Sequence, residues 1–200
     1  MSPRGKAIPQ LRERLIQAGE RVLVAGGPGA VTARAVAGEA GVATGLLYHH
    51  FADFDGFLAA LVLDRFRTQA GRMAGFSQRA GSRTVEENLT DAAMGLLEST
   101  TLAVADLVRA RVGLSVKVMG ELDAGAAGMP DVQRAIVAYL EEERRLGRIA
   151  AGADTETGAL MLVGAVHHLL LLHGSGLPQP ARAARRIAAA VLTGLTERAS

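Results

Sequence analysis

The chain has 200 residues, of which 49% are hydrophobic and 21% charged, with a formal net charge of +2; this suits one or two soluble domains with a sizeable apolar core. It contains no cysteine, which excludes disulfides, thiol switching and cysteine-based metal sites. The opening MSPRGKAIPQLRER stays polar and does not read as a secretory signal, so the expected location is the cytoplasm.

A first helix is predicted from about Pro9 to Ala25, with Leu11, Leu15, Ala18, Val22 and Val24 or Ala25 near its buried stripe, and the GGPG run at 26–29 stops it. That Gly-rich run follows a helix, has no strand before it and no Lys-Ser/Thr after it, so it reads as a connector and not as a phosphate cradle. The stretch from Thr32 to Phe57, TARAVAGEAGVATGLLYHHFADFDGF, then sets a small-residue helix, a Gly turn and a Tyr-bearing helix in succession. Ala33, Ala37 and Ala40 allow two backbones to cross closely, and Val36, Val42 and Leu47 supply a shared core. Gly41 suits the left-handed conformation that ends a helix. The pattern is a helix-turn-helix.

The second of these helices has side chains that suit a DNA groove. Thr44 and Gly45 permit close approach, Leu46 is placed to meet a thymine methyl, and His49 lies near the bases. Tyr48 and His50 are expected to position the protein on phosphate or sugar. Arg34 reaches a phosphate or forms a bidentate pair with guanine. His49 and His50 are not read as a metal site, because adjacent helical residues point about 100° apart. Charge supports the assignment. Residues 1–51 hold six basic side chains (Arg4, Lys6, Arg12, Arg14, Arg21, Arg34) against Glu13, Glu20 and Glu39, a net +3, while the remainder nets −1.

At Thr32, Ala37, Ala40, Gly41, Val42, Gly45, Leu47, Tyr48, His50 and Phe51 the sequence resembles the TetR (tetracycline repressor-like) family of transcriptional regulators. Thr32 stands before the first short helix and joins the expected DNA-contact set with Arg34, Thr44, Gly45, Leu46, Tyr48, His49 and His50. Two residues depart from the pattern. Ala43 stands where the family has Ser or Thr, leaving Thr44 as the nearest hydroxyl for a helix cap. Phe54 stands where it has a Lys that would meet a phosphate, a loss expected to weaken nonspecific affinity and its salt dependence.

After Phe51, helices are predicted from Asp53, a capping residue, to Phe76, and then at about 84–101, 102–122, 131–145, 154–173 and 180–197, with breaks at 81–83, 124–129, 147–153 and 174–180. The helix from Asp53 has Phe57, Leu61, Phe66 and Met73 as its larger apolar groups. No alternation supports a sheet, so the expected fold is all-α. A three-helix DNA-binding domain over 1–52 is followed by a helical ligand-binding and dimerisation domain over 53–200. The 158–172 stretch is apolar but holds only 15 residues and is interrupted by His167 and His168, so it reads as a buried helix and not a membrane span.

The 154–173 helix is hydrophobic nearly all round and needs neighbours on several sides; the last helix has Ile187, Val191, Leu192 and Leu195 on one stripe. The resemblance implies that these two helices pair with their copies in a homodimer, which makes the expected DNA partner a palindromic operator on double-stranded DNA. Among the middle helices Met94, Leu97, Leu107, Leu114, Val118, Met119 and Met161 are candidate walls of a small-molecule site, with Arg111, Ser115 and His168 as its polar groups. Each polar group has a simpler use: Arg111 in a surface ion pair, Ser115 in its own helix, His168 in a core or interface. The resemblance implies a repressor released by a small, largely apolar effector; no cofactor and no metal are expected. An enzyme on a helical scaffold finds little support: no Ser sits in a nucleophile elbow, no His-Glu-x-x-His occurs, and Glu141, Glu142 and Glu143 lack a His at i+3. A protein-binding adaptor would leave the Tyr-His-His helix without a use.

Overall fold

The computed structural model describes residues 10–196; Arg4, Lys6 and the expected helix ends at Pro9 and Glu197 lie outside the described residues. Ten α-helices and no strand occur among the described residues. The first part holds α1 (Leu11–Gly26), α2 (Ala33–Glu39), α3 (Gly45–His50) and α4 (Phe54–Met73). The second holds α5 (Val85–Leu96), α6 (Ser99–Ala110), α7 (Val112–Asp123), α8 (Met129–Arg145), α9 (Thr155–His173) and α10 (Pro180–Thr196).

Local chemistry sets several of the helix starts. The Thr32 hydroxyl accepts from the Ala35 N–H at 3.1 Å, the Asp53 carboxylate from Gly56, and the Asp154 carboxylate from Thr157 at 2.9 Å. Thr84 and Glu87 form a reciprocal capping box on α5. Gly41 has φ +67°, the left-handed conformation that the turn between α2 and α3 requires.

Two apolar clusters divide the interior. The N-terminal one joins Leu15, Leu23, Val36, Leu47 and Phe57 to Ala103, Val104, Leu107, Leu114 and Val118 from α6 and α7. The C-terminal one gathers α5, α8, α9 and α10 around Leu89, Ile136, Tyr139, Leu162 and Val191. The fourth helix belongs to both, with Phe57–Val62 in the first and Met73 in the second. It is thus the beam on which the two parts meet.

Four expectations are corrected. The predicted 84–101 helix ends at Leu96, and α6 begins at Ser99 after Glu98 adopts an extended conformation. Tertiary contacts hold that break open. Arg72 bonds both Glu98 oxygens at 2.6 Å, Arg65 also pairs with Glu98, and the Thr101 hydroxyl accepts from Arg65 at 3.0 Å and Gln69 at 2.8 Å. The predicted 102–122 helix is likewise interrupted at Arg111 (φ −133°, ψ 95°), which separates α6 from α7. On α1, Leu23 is buried in place of Val24 and Ala25, which face solvent. The apolar segment around α9 is also longer than the 15-residue run in the sequence suggests: Thr155–Gly176, of mean hydropathy 1.4, is long and apolar enough to cross a bilayer by length and composition. Its inner side, Leu162, Val163, Val166 and Leu170, is buried in the C-terminal cluster.

Candidate nucleic-acid interface

The helix-turn-helix is assembled by burying one side of each short helix. Val36 and Ala37 of α2 and Leu47 of α3 are almost completely enclosed, which fixes the opposite faces outward. The turn is closed by the Val42 N–H donating to the Ala37 carbonyl at 2.9 Å and by Arg14 donating to the Ala40 carbonyl at 3.0 Å. An ion pair between Arg21 and Glu39 at 2.6 Å ties α1 to α2.

The outward face carries the expected contact residues. Tyr48 is 51% exposed, His49 and His50 face solvent with ring centroids 5.4 Å apart, and Gly45 is open. Thr44 and Leu46 are half-buried at the start of the same helix. Thr32 and Arg34 are exposed on α2, and Arg34 makes no ion pair among the described residues. The Thr32 hydroxyl is committed to its helix cap. Thr44 occupies the N-cap position of α3 without a side-chain hydrogen bond, so this six-residue helix depends on tertiary packing for its stability.

The far end of α3 is anchored by aromatic packing. Phe51 ends the helix and meets Phe57 edge-on at 5.2 Å, while Phe54 stacks on Phe57 at 5.7 Å. Two guanidinium groups lie over this cluster, Arg12 above Phe51 at 5.2 Å and Arg111 above Phe54 at 5.6 Å. Lys117 on α7 reaches the cap of α4, its ammonium 2.9 Å from Asp53 Oδ1. Sequence reasoning did not single out Lys117, and it offered Arg111 a surface ion pair as the simpler use without naming its acid, because both arrive through the break between α6 and α7, which has no glycine or proline signal of its own at 111.

The ten residues expected around an effector are not brought together in one cavity. Met94 and Leu97 pack with the C-terminal cluster, whereas Leu107, Leu114 and Val118 belong to the N-terminal one. Arg111 pairs with Asp55 at 3.6 Å. Ser115 and Met119 face solvent on α7, and His168 and Met161 face solvent on α9. Periodicity marked which side of each helix is apolar but carried no information about which cluster that side would join. The carboxylates of Glu141 and Glu142 pair with Arg144 and Arg145, and buried Glu143 accepts a 2.7 Å hydrogen bond from Tyr139.

Residues 15–61, which run from α1 into α4, match the family model of bacterial regulatory proteins of the tetR family. No curated protein matches the chain in sequence. Among solved structures, a protein described as a TetR-family transcriptional regulator from Mesorhizobium loti superposes with a TM-score of 0.72 at 17% identity, covering 96% of this chain and 98% of that one. FadR from Bacillus subtilis in complex with stearoyl-CoA gives 0.63 at 18% identity, covering 91% and 98%. SmeT, the repressor of the Stenotrophomonas maltophilia multidrug efflux pump SmeDEF, gives 0.61 at 19% identity, covering 94% and 91%. Residues 15–61 thus match the N-terminal domain of the tetR family of bacterial regulatory proteins, and the fold is shared with these regulators over nearly the whole chain.

Proposed function

We propose that the protein is a homodimeric transcriptional repressor that grips a palindromic operator through Thr32, Arg34, Thr44, Gly45, Leu46, Tyr48, His49 and His50, and is released from it by a small, largely apolar effector. The observation that carries the reading is the α3 helix. Its Leu47 is buried and its Tyr48, His49 and His50 are displayed, as is Arg34 on α2, which makes no ion pair among the described residues, a division of faces that a helix used only for packing would not need. An enzyme or adaptor reading gives those residues no task.

The dimer is supported by α9, whose outer face exposes Leu160, Met161, Leu171 and Leu172 at helical spacing. An apolar groove of about 350 Å³ runs beside it against α10, floored by Leu169, Ile187 and Val191. An effector of apolar character is supported by FadR, whose solved complex contains stearoyl-CoA. Cytoplasmic action on double-stranded DNA follows from the same reading.

The experiment is sequence selection from a random duplex library with the purified full-length chain, followed by gel shift at several salt concentrations. Enrichment of an inverted repeat, with affinity that falls as salt rises, supports the proposal. Recovery of unselected sequence would leave a general DNA binder, and no retention would overturn it.

A further inference from the structure

Two carboxylates stand at the head of α4, directly after the recognition helix, and each is matched by a cation carried on the following part of the chain. Lys117 Nζ lies 2.9 and 3.2 Å from the two Asp53 oxygens. Arg111 Nη1 lies 3.6 Å from Asp55 Oδ1 while its guanidinium covers the Phe54 ring. The acids serve the helix: Asp53 caps it and Asp55 lies in its first turn, where negative charge stabilises the N-terminal end. The same acids follow Phe51, the residue that ends α3, so they border the edge on which His50 is displayed. There, two uncompensated negative charges would repel a phosphate backbone. Helix stability and DNA binding therefore make opposite demands on this edge. The two cations reconcile them.

We propose that Lys117 and Arg111 are positioning residues for operator binding, which cancel the charges of Asp53 and Asp55 and thereby let the effector-side helices set the DNA affinity of the reading head. The inference rests on the DNA-binding function proposed above. Both cations sit at or just after the α6–α7 break, on a segment whose Leu114 and Val118 are buried in the N-terminal cluster. A shift of α7 relative to α4 opens the two pairs and uncovers a charge of −2 beside the recognition helix. The hydrogen bond from Lys117, followed by that from the Gly56 N–H, holds the Asp53 carboxyl below its ordinary range; with Lys117 withdrawn the carboxyl still stays ionised at neutral pH, because an ordinary aspartate titrates near about 3.9.

The test is fluorescence anisotropy of the full-length chain on its selected duplex, with circular dichroism melts confirming that each variant folds. Lys117→Gln and Arg111→Gln should each lower affinity roughly three- to tenfold, an effect that shrinks as added salt screens the exposed acid. Lys117→Arg should bind as wild type. Adding Asp53→Ser, which retains a capping side chain, to Lys117→Gln should restore wild-type affinity, as should adding Asp55→Asn to Arg111→Gln. Single variants that bind normally would overturn the proposal. So would paired variants that remain weak, since that result assigns the cations to direct phosphate contact. A wild-type chain that retains no duplex would instead overturn the DNA-binding reading itself.

Discussion

Gly19 lies so close to Phe57 that a β-carbon on it would stand 2.6 Å from the Phe57 ring and 2.8 Å from a Leu61 methyl. This contact joins α1 of the reading head to α4, and both partners on α4 are fully buried. A phenyl ring held between Phe51 and Phe54 has nowhere to retreat.

Gly19→Ala is therefore expected to destabilise the protein even though alanine is the better helix former. Overpacking a filled site costs about 1 to 3 kcal/mol, against a propensity gain of at most about 1 kcal/mol. Gly71→Ala, on the same α4 with nothing within 4 Å of the added carbon, is the control and should raise the melting temperature. Thermal unfolding of the two variants reads the difference; an equal rise in both would show that α1 and α4 have slack at their crossing.

Tyr48→Phe and Arg34→Ala separate positioning from base reading. Loss of the Tyr48 hydroxyl should weaken binding to every duplex by a similar factor, because a phosphate contact carries no sequence information. Loss of Arg34 should cost about 1 to 3 kcal/mol and relax one base preference if the side chain is bidentate to guanine. Repeating the selection with each variant checks this. Unchanged affinity and logo for both would remove these residues from the interface.

The reading head was legible in the sequence because its determinants are local. Asp53 announces its cap, Gly41 its left-handed turn, and the alternation of Leu47 with Tyr48 and His49 the two faces of a short helix, whereas the cap that Thr32 makes on α2 was not foreseen. The break at Glu98 was not legible, since a five-group network of Arg65, Gln69, Arg72, Glu98 and Thr101 from two separate helices sets it. Arg111 shows the same limit. Its residue type fitted a ligand contact and, more simply, a surface ion pair, and only the fold brings Asp55 and Phe54 to it.

Leu171→Glu on the outer face of α9 should leave the fold intact and abolish association. Leu171 is 49% exposed in the single chain, so a carboxylate there is solvated in a monomer but would be desolvated in a helix pair. Sedimentation should report a monomer for the variant and a dimer for wild type at micromolar concentration. Binding to a full inverted repeat should then fall towards that of one half-site, with half-sites about one helical turn, ~34 to 36 Å, apart or a multiple of it. A monomeric wild-type chain would remove the two-fold reading.

Glu20 supplies a pH-dependent prediction whose sign follows from its surroundings. It lies half-buried on α1, and burial raises its carboxyl above the usual 4.5, only partly opposed by the nearby Arg65 charge. The folded chain therefore holds this proton more tightly than the unfolded chain, so stability falls as pH rises from about 4.5 through the folded value. Glu20→Gln mimics the protonated form. It should raise the melting temperature at pH 7, and its advantage should disappear near pH 4, where wild-type Glu20 is itself protonated. Melts across that range decide the point: a lower melting temperature for the variant at pH 7 would mean that attraction to Arg65 outweighs desolvation, and that the α1–α4 crossing is held by charge instead of being weakened by it.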